Sequence, residues 1–146
     1  DWSMIRDVKR NPRNKIPIFG NGDVDSVDKA AAWRQEYEVD GIMIGRASIG
    51  YPWIFREVKH FFETGERLEG PTVAERVEVC RTHLTKSIEW KGDKTGIFEM
   101  RRHYANYFKG IPNFKEYRMR LVELMKYDEI IEVLEEIKHN FAEEVA

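Results

Sequence analysis

An α/β segment over residues 1–65, followed by a small all-α bundle over 66–146, is the architecture this sequence predicts. Three observations predict it. Two short apolar runs, Ile16-Pro17-Ile18-Phe19 and Ile42-Met43-Ile44, each end at a glycine, Gly20 and Gly45. Those glycines stand 25 residues apart, about one strand–helix repeat, which argues for parallel strands joined by a crossover helix. From Pro52 onward, apolar residues recur at helical spacing.

The elements follow in order. Ile5 and Val8 mark the apolar side of a short opening helix, ended by Asn11-Pro12. Ile16–Phe19 reads as a buried strand, because parallel strands covered on both faces lose their polar alternation. Asp25 is the expected N-cap of a helix that runs through Ala30–Trp33 to about Tyr37. Gly41–Ile44 is a second buried strand. Two parallel strands do not close a sheet, so this half is expected to be a piece of a larger α/β domain. Its exposed strand edges make self-association an expectation.

From Pro52 the pattern turns helical, and a helix led in by Trp53 ends at Gly65. Thr72 and Glu75 have the spacing of a reciprocal capping box. Val73, Val77, Cys80, Leu84 and Ile88 then mark one face of a long helix, broken at Lys91–Lys94. Further helices are expected over about 97–109 and 114–125, and a last one carries Ile130, Leu134, Ile137 and Phe141 on one face. A bundle of this size is sufficient to bury its own core.

Composition excludes several classes. Of 146 residues, 42% are hydrophobic and 34% charged, which is an ordinary globular balance rather than a disordered one. No apolar run approaches the ~18 residues of a membrane span. The single cysteine, Cys80, forms no internal disulfide, so a cytoplasmic protein is expected. The four histidines lack metal-site spacing. The first residue is Asp1 rather than Met, so a longer parent chain is expected.

The net charge of −2 hides a pattern. Residues 1–80 carry 12 basic and 14 acidic side chains, 81–120 carry 10 and 4, and 121–146 carry 2 and 8. A basic middle beside an acidic tail suits a localised anionic partner, and equally suits a set of solvated helix faces.

Two turns carry the candidate chemistry. In Gly20-Asn21-Gly22-Asp23 the glycines allow a sharp turn and close approach of backbone N–H groups to a ligand, ahead of a helix N-terminus. The same residues also make a plain strand-to-helix turn. Gly45-Arg46-Ala47 follows the next strand, and an arginine beside a close-approach glycine suits a phosphate, or a structural ion pair. The two together say more than either. In eight-stranded α/β barrels the loops after strands seven and eight commonly form the phosphate site. The pattern therefore predicts the C-terminal piece of a TIM (β/α)8 barrel.

Here a family resemblance enters. Ile16 to Val24 is similar to the strand-seven segment of the tRNA-dihydrouridine synthases. Asp40 to Ala47, continuing through Pro52-Trp53-Ile54-Phe55, resembles their strand-eight segment, and Asp1-Trp2 with Ile5 and Val8-Lys9 resembles the helix just before. Met100-Arg101-Arg102-His103-Tyr104 and Tyr107 to Pro112 resemble the signature of their C-terminal helical domain. The resemblance implies an FMN cofactor, NADPH as reductant and tRNA as partner. It implies that Asn21, Gly22, Asp23, Gly45 and Arg46 bind the FMN phosphate and its surroundings. Tyr51 stands where the family usually has Asn, and no role is carried over to it.

In the basic middle, Arg101, Arg102, His103, Lys109, Lys115 and Arg118 are the candidate RNA-binding residues, with Arg120 beside them. Tyr104, Tyr107 and Tyr117 lie among them, either to stack on exposed bases or to pack the bundle. The resemblance favours RNA. The acidic tail is expected to lie away from the RNA or to pair with the basic helices. The family's cysteine acid lies in the earlier half of the barrel, whereas Cys80 sits on an apolar helix face and is expected in the core. The catalytic cysteine and six barrel strands would lie upstream, so residues 1–146 alone are expected to be inactive. Two other readings remain: an FMN barrel oxidoreductase acting on a small molecule, and a non-enzymatic helical RNA-binding or partner-binding module.

Overall fold

The computed structural model describes residues 1–141. The chain forms two units, Asp1–Leu68 and Glu69–Ala146.

The first unit runs α1 (Ser3–Arg10), β1 (Phe19–Asn21), α2 (Val27–Tyr37), β2 (Gly41–Met43), a 3-10 turn (Arg46–Ser48) and α3 (Ile54–Thr64). The two strands pair in parallel, with Phe19 opposite Gly41, Gly20 opposite Ile42 and Asn21 opposite Met43. Asp40 fastens this pairing at its start. Its N–H donates to the Ile18 carbonyl at 2.9 Å, and its carboxylate accepts from the Ile18 N–H at 2.7 Å and from Lys9 Nζ on α1 at 2.6 Å. The core beneath is built from Trp2, Val24, Ala30, Val39, Ile44, Ile54 and Val58.

Three expectations need correction here. The strand lies later than Ile16–Phe19 and is not buried: Ile16 is 70% and Phe19 65% exposed, as is Met43 at 56%. The sheet has two strands among the described residues, so one face and both edges stay open. Ser26, not Asp25, caps α2, because its extended backbone aims its Oγ at the Lys29 N–H. Val8 points away from the core and is exposed.

The second unit is four helices: α4 (Val73–Lys91), α5 (Asp93–Tyr107), α6 (Lys115–Glu123) and α7 (Tyr127–Phe141). The capping box forms as the spacing predicts. Thr72 Oγ1 accepts from the Glu75 N–H, and the Glu75 carboxylate accepts from the Thr72 N–H at 2.8 Å. The apolar face of α4 is buried at Val73, Val77, Cys80 and Leu84, against Ile97, Met100 and Tyr104 of α5 and Ile130, Leu134 and Ile137 of α7. α5 begins at Asp93, four residues before the expected start. Gly92 alone reverses the chain with a positive φ, and its carbonyl already accepts from the Gly96 N–H at 2.8 Å. A Cβ at Gly96 would lie 2.7 Å from the Ile88 backbone, so glycine lets the two helices cross there.

Arg76 is buried within this unit. Its Nη1 donates to the carbonyls of Tyr107 at 3.4 Å and Lys109 at 3.2 Å, and its Nε donates to the Pro71 carbonyl at 3.3 Å. A cation at the C-terminus of α5 thus satisfies carbonyls that the helix leaves open. The acidic helix α7 pairs with basic neighbours, Glu136 with Arg120 at 2.6 Å and Glu135 with Arg81 at 3.1 Å. The last acidic residues, Glu143 and Glu144, lie outside the described residues. No helix among the described residues is long and apolar enough to cross a membrane.

Candidate functional site

The ends of the two parallel strands meet in one cavity of about 480 Å³. Asn21, Gly22, Asp23, Gly45 and Arg46 all line it, with Val24, Asp25, Met43 and Ala47. The sequence separates these two turns by more than twenty residues; parallel pairing in register brings them together. Gly22 has φ +131 and Asp23 φ +50, so the first turn is left-handed over two residues.

Its shape is set from below by Trp2. The indole Nε1 donates to the Gly22 carbonyl at 3.2 Å. The same ring occupies the space of a side chain at Gly20, where a Cβ would lie 1.9 Å from it. Trp33 and Tyr37 of α2 pack on Trp2 at centroid distances of 4.7 and 5.6 Å, so the ring is held in place.

The second turn is tightened by Ser48, whose Oγ donates to the Gly45 carbonyl at 2.8 Å. No atom lies within 4 Å of where a Gly45 Cβ would be, so this backbone faces open space. Arg46 forms an ion pair with Asp23 across the two turns, with 87% of its side chain exposed. An exposed pair of this kind is worth little, so the guanidinium is available to a better anion. The other acid on the rim, Asp25, is matched by Lys29 at 3.5 Å.

The helical unit carries the basic candidates. Arg102, Lys109, Lys115 and Arg118 are exposed, and Arg101 and His103 are half-buried. Among the described residues none of the five arginine and lysine side chains in this group forms an ion pair. Arg102 Nε donates to His103 Nε2 at 3.3 Å, and the His103 ring packs on His83, centroids 4.8 Å apart. Burial, with His83 and Arg102 as neighbours, holds His103 below the ordinary histidine range. Burial, then Arg102, does the same to His83.

The aromatics divide differently from the charges. Tyr104 and Tyr107 are core residues, 0% and 4% exposed, so they pack the bundle and are closed to bases. Tyr117 is half-buried, between Phe114 and Phe141. Cys80 is fully buried, and burial pushes its thiol up.

The whole described chain aligns with one family model, dihydrouridine synthase, over residues 1–144. The chain belongs to the dihydrouridine synthase family. Within it, the chain is 38% identical over 135 residues to a probable tRNA-dihydrouridine synthase 1 of Synechocystis, covering 92% of this chain and 37% of that protein. It is 42% identical over 105 residues to tRNA-dihydrouridine synthase B of Pseudomonas putida, covering 72% of this chain and 31% of that one. A probable tRNA-dihydrouridine synthase of Rickettsia conorii is 36% identical over 118 residues, covering 81% and 35%. The matched part is thus about a third of the length of these dihydrouridine synthases. Residues that reading the sequence missed are Trp2 and Ser48, which shape the two turns from outside them. Trp2 was visible as a bulky apolar residue ahead of the first helix, but its reach to Gly22 is a tertiary contact.

Proposed function

We propose that residues 1–65 are the closing part of an FMN-binding (β/α)8 barrel and residues 66–146 the helical RNA-binding domain of a tRNA-dihydrouridine synthase. The observation that carries this reading is the meeting of two strand-end glycine turns in one cavity beneath an exposed arginine. Membership of the dihydrouridine synthase family supports it.

The residues present fit a phosphate. Gly45 leaves its Cβ position open, Arg46 offers a forked donor held only by an exposed pair with Asp23, and the other rim acid, Asp25, is matched by Lys29. Asn21, Gly22, Asp23, Gly45 and Arg46 would bind the FMN phosphate and its neighbourhood. FMN held there would supply hydride chemistry for reducing the uridine C5–C6 bond, with NADPH as the reductant that the family resemblance implies. Asn21 contributes an amide beside the phosphate, and Asp23 keeps Arg46 aimed across the turns until an anion replaces it. Arg101, Arg102, His103, Lys109, Lys115 and Arg118 would form the face that takes tRNA through its phosphates. The base being reduced must leave its stack to reach a flavin. Among the described residues Cys80 is enclosed in the bundle and so is not placed to protonate that base. The chain alone is expected to be inactive, and turnover by it would overturn that reading.

Two titrations of the 146-residue chain test the reading. Gel-shift titration with unmodified tRNA should give salt-sensitive binding that is lost when Arg101, Arg102 and Lys109 become alanine. Quenching of FMN fluorescence should show binding that weakens in Arg46→Ala. An FMN affinity indifferent to Arg46 would overturn the phosphate site. Absence of tRNA binding at low salt would overturn the RNA-binding role of the helices.

A further inference from the structure

The aromatic partners of the basic helices are not the ones that sequence proximity picks out. Tyr104 and Tyr107 are enclosed, while Trp90 at the end of α4 is 81% exposed and Phe98 on α5 is 56% exposed. Each carries a cation over its ring. Lys91 Nζ lies 4.5 Å from the Trp90 ring centroid, and the Arg101 guanidinium carbon lies 4.3 Å from that of Phe98. Phe98 lines an open concavity of about 670 Å³ with Lys94, Thr95, Glu99 and Arg102. The one acid there, Glu99, is bound to Lys91 at 2.5 Å, which joins the Trp90 corner to the same concavity. Along α5, Lys94, Phe98, Arg101 and Arg102 follow at i, i+4, i+7 and i+8, so they share one helix face.

Such a face is costly to leave in water and is not built for a neutral partner. Large rings exposed singly are ordinary. Two of them, each with a cation over its ring, and with the acid that lines the concavity already paired with Lys91, match a ligand that has both flat apolar rings and negative charge. Unpaired nucleotides have both.

We propose that Trp90 and Phe98 form a stacking platform for unpaired nucleotides of RNA, with Lys94, Arg101 and Arg102 holding the adjoining phosphates. This rests on the RNA-binding reading of the helical unit and names which of its residues take bases rather than charge.

The test compares two surface variants of the full chain, Trp90→Ala/Phe98→Ala and Arg101→Ala/Arg102→Ala, in gel-shift titrations with unmodified tRNA at several salt concentrations. Far-ultraviolet circular dichroism checks that both stay folded. The platform predicts that the aromatic variant binds about 10-fold or more weaker with an unchanged salt slope. The arginine variant should lose both affinity and slope. If the chain binds tRNA and the aromatic variant binds equally well, the platform is overturned and the RNA reading stands. If the chain binds no tRNA, both fall. Self-association that the aromatic variant abolishes, without RNA binding, would instead assign the patch to a protein partner and overturn the platform.

Discussion

The indole N–H of Trp2 donates to the Gly22 carbonyl over 3.2 Å, while the same ring fills the space where a side chain at Gly20 would start. One aromatic residue on the first turn of the chain thus sets the height and the curvature of the glycine turn. Gly20 is needed because the ring is close, Gly22 because its φ is +131, and the ring is ordered because α2 packs on it.

That arrangement predicts strong coupling. Gly20→Ala should destabilise by about 1–3 kcal/mol through overpacking against the ring. Trp2→Ala should cost about 3–5 kcal/mol, the usual range for a buried aromatic. In the double variant the alanine methyl enters the vacated space, so the combined loss should be smaller than the sum. Urea unfolding of the four chains measures it, and strict additivity would mean that Trp2 does not shape the turn.

Arg46 should separate binding from folding. Its pair with Asp23 is exposed, so Arg46→Ala should change stability by less than about 1 kcal/mol. If the proposed phosphate site holds, affinity for FMN should fall roughly 10- to 100-fold, as expected for a lost charge-assisted contact. Flavin fluorescence titration and thermal unfolding of the same variant read the two effects.

Arg76 should behave in the opposite way, as a folding residue. Removing it leaves the carbonyls of Tyr107 and Lys109 without that donor. Arg76→Ala should cost roughly 1–3 kcal/mol per carbonyl left unsatisfied. Arg76→Lys should rescue it poorly, since a single ammonium does not reproduce the planar fork that serves Pro71, Tyr107 and Lys109 together. Denaturant midpoints of the two variants decide this.

His83 and His103 should make the helical unit sensitive to mild acid. Burial lowers both below the ordinary value of about 6.5. Below that value the unfolded chain binds more protons than the folded one. The stability they contribute is therefore complete above about pH 6.5 and is lost as pH falls through their lowered values. The urea midpoint should drop between about pH 7.5 and pH 5.5, and the drop should flatten in His83→Gln/His103→Gln. The carboxylates held down by lysine, Glu78 and Glu99, act in a separate and more acidic window.

Local and periodic features were legible in the order of residues alone. The capping box at Thr72 and Glu75 needs only a three-residue spacing, and the apolar face of α4 only a helical repeat. Cys80 was legible as core for the same reason. The order of strand, helix and strand was enough to infer parallel pairing, because a crossover of that length permits little else. What the tertiary structure decided is every contact between segments far apart in the chain. Strand register joined Asn21, Gly22 and Asp23 to Gly45 and Arg46. The packing of Trp2 explained Gly20. Side-chain direction buried Tyr104 and Tyr107 while leaving Trp90 and Phe98 in water, although all four sit on helices of similar composition. A helix presents about 3.6 residues per turn to different surroundings, and which of them meets a neighbour depends on where that neighbour lies. The physical reason is therefore the same throughout: spacing along the chain dictates which residues share a face, and only packing dictates what that face meets.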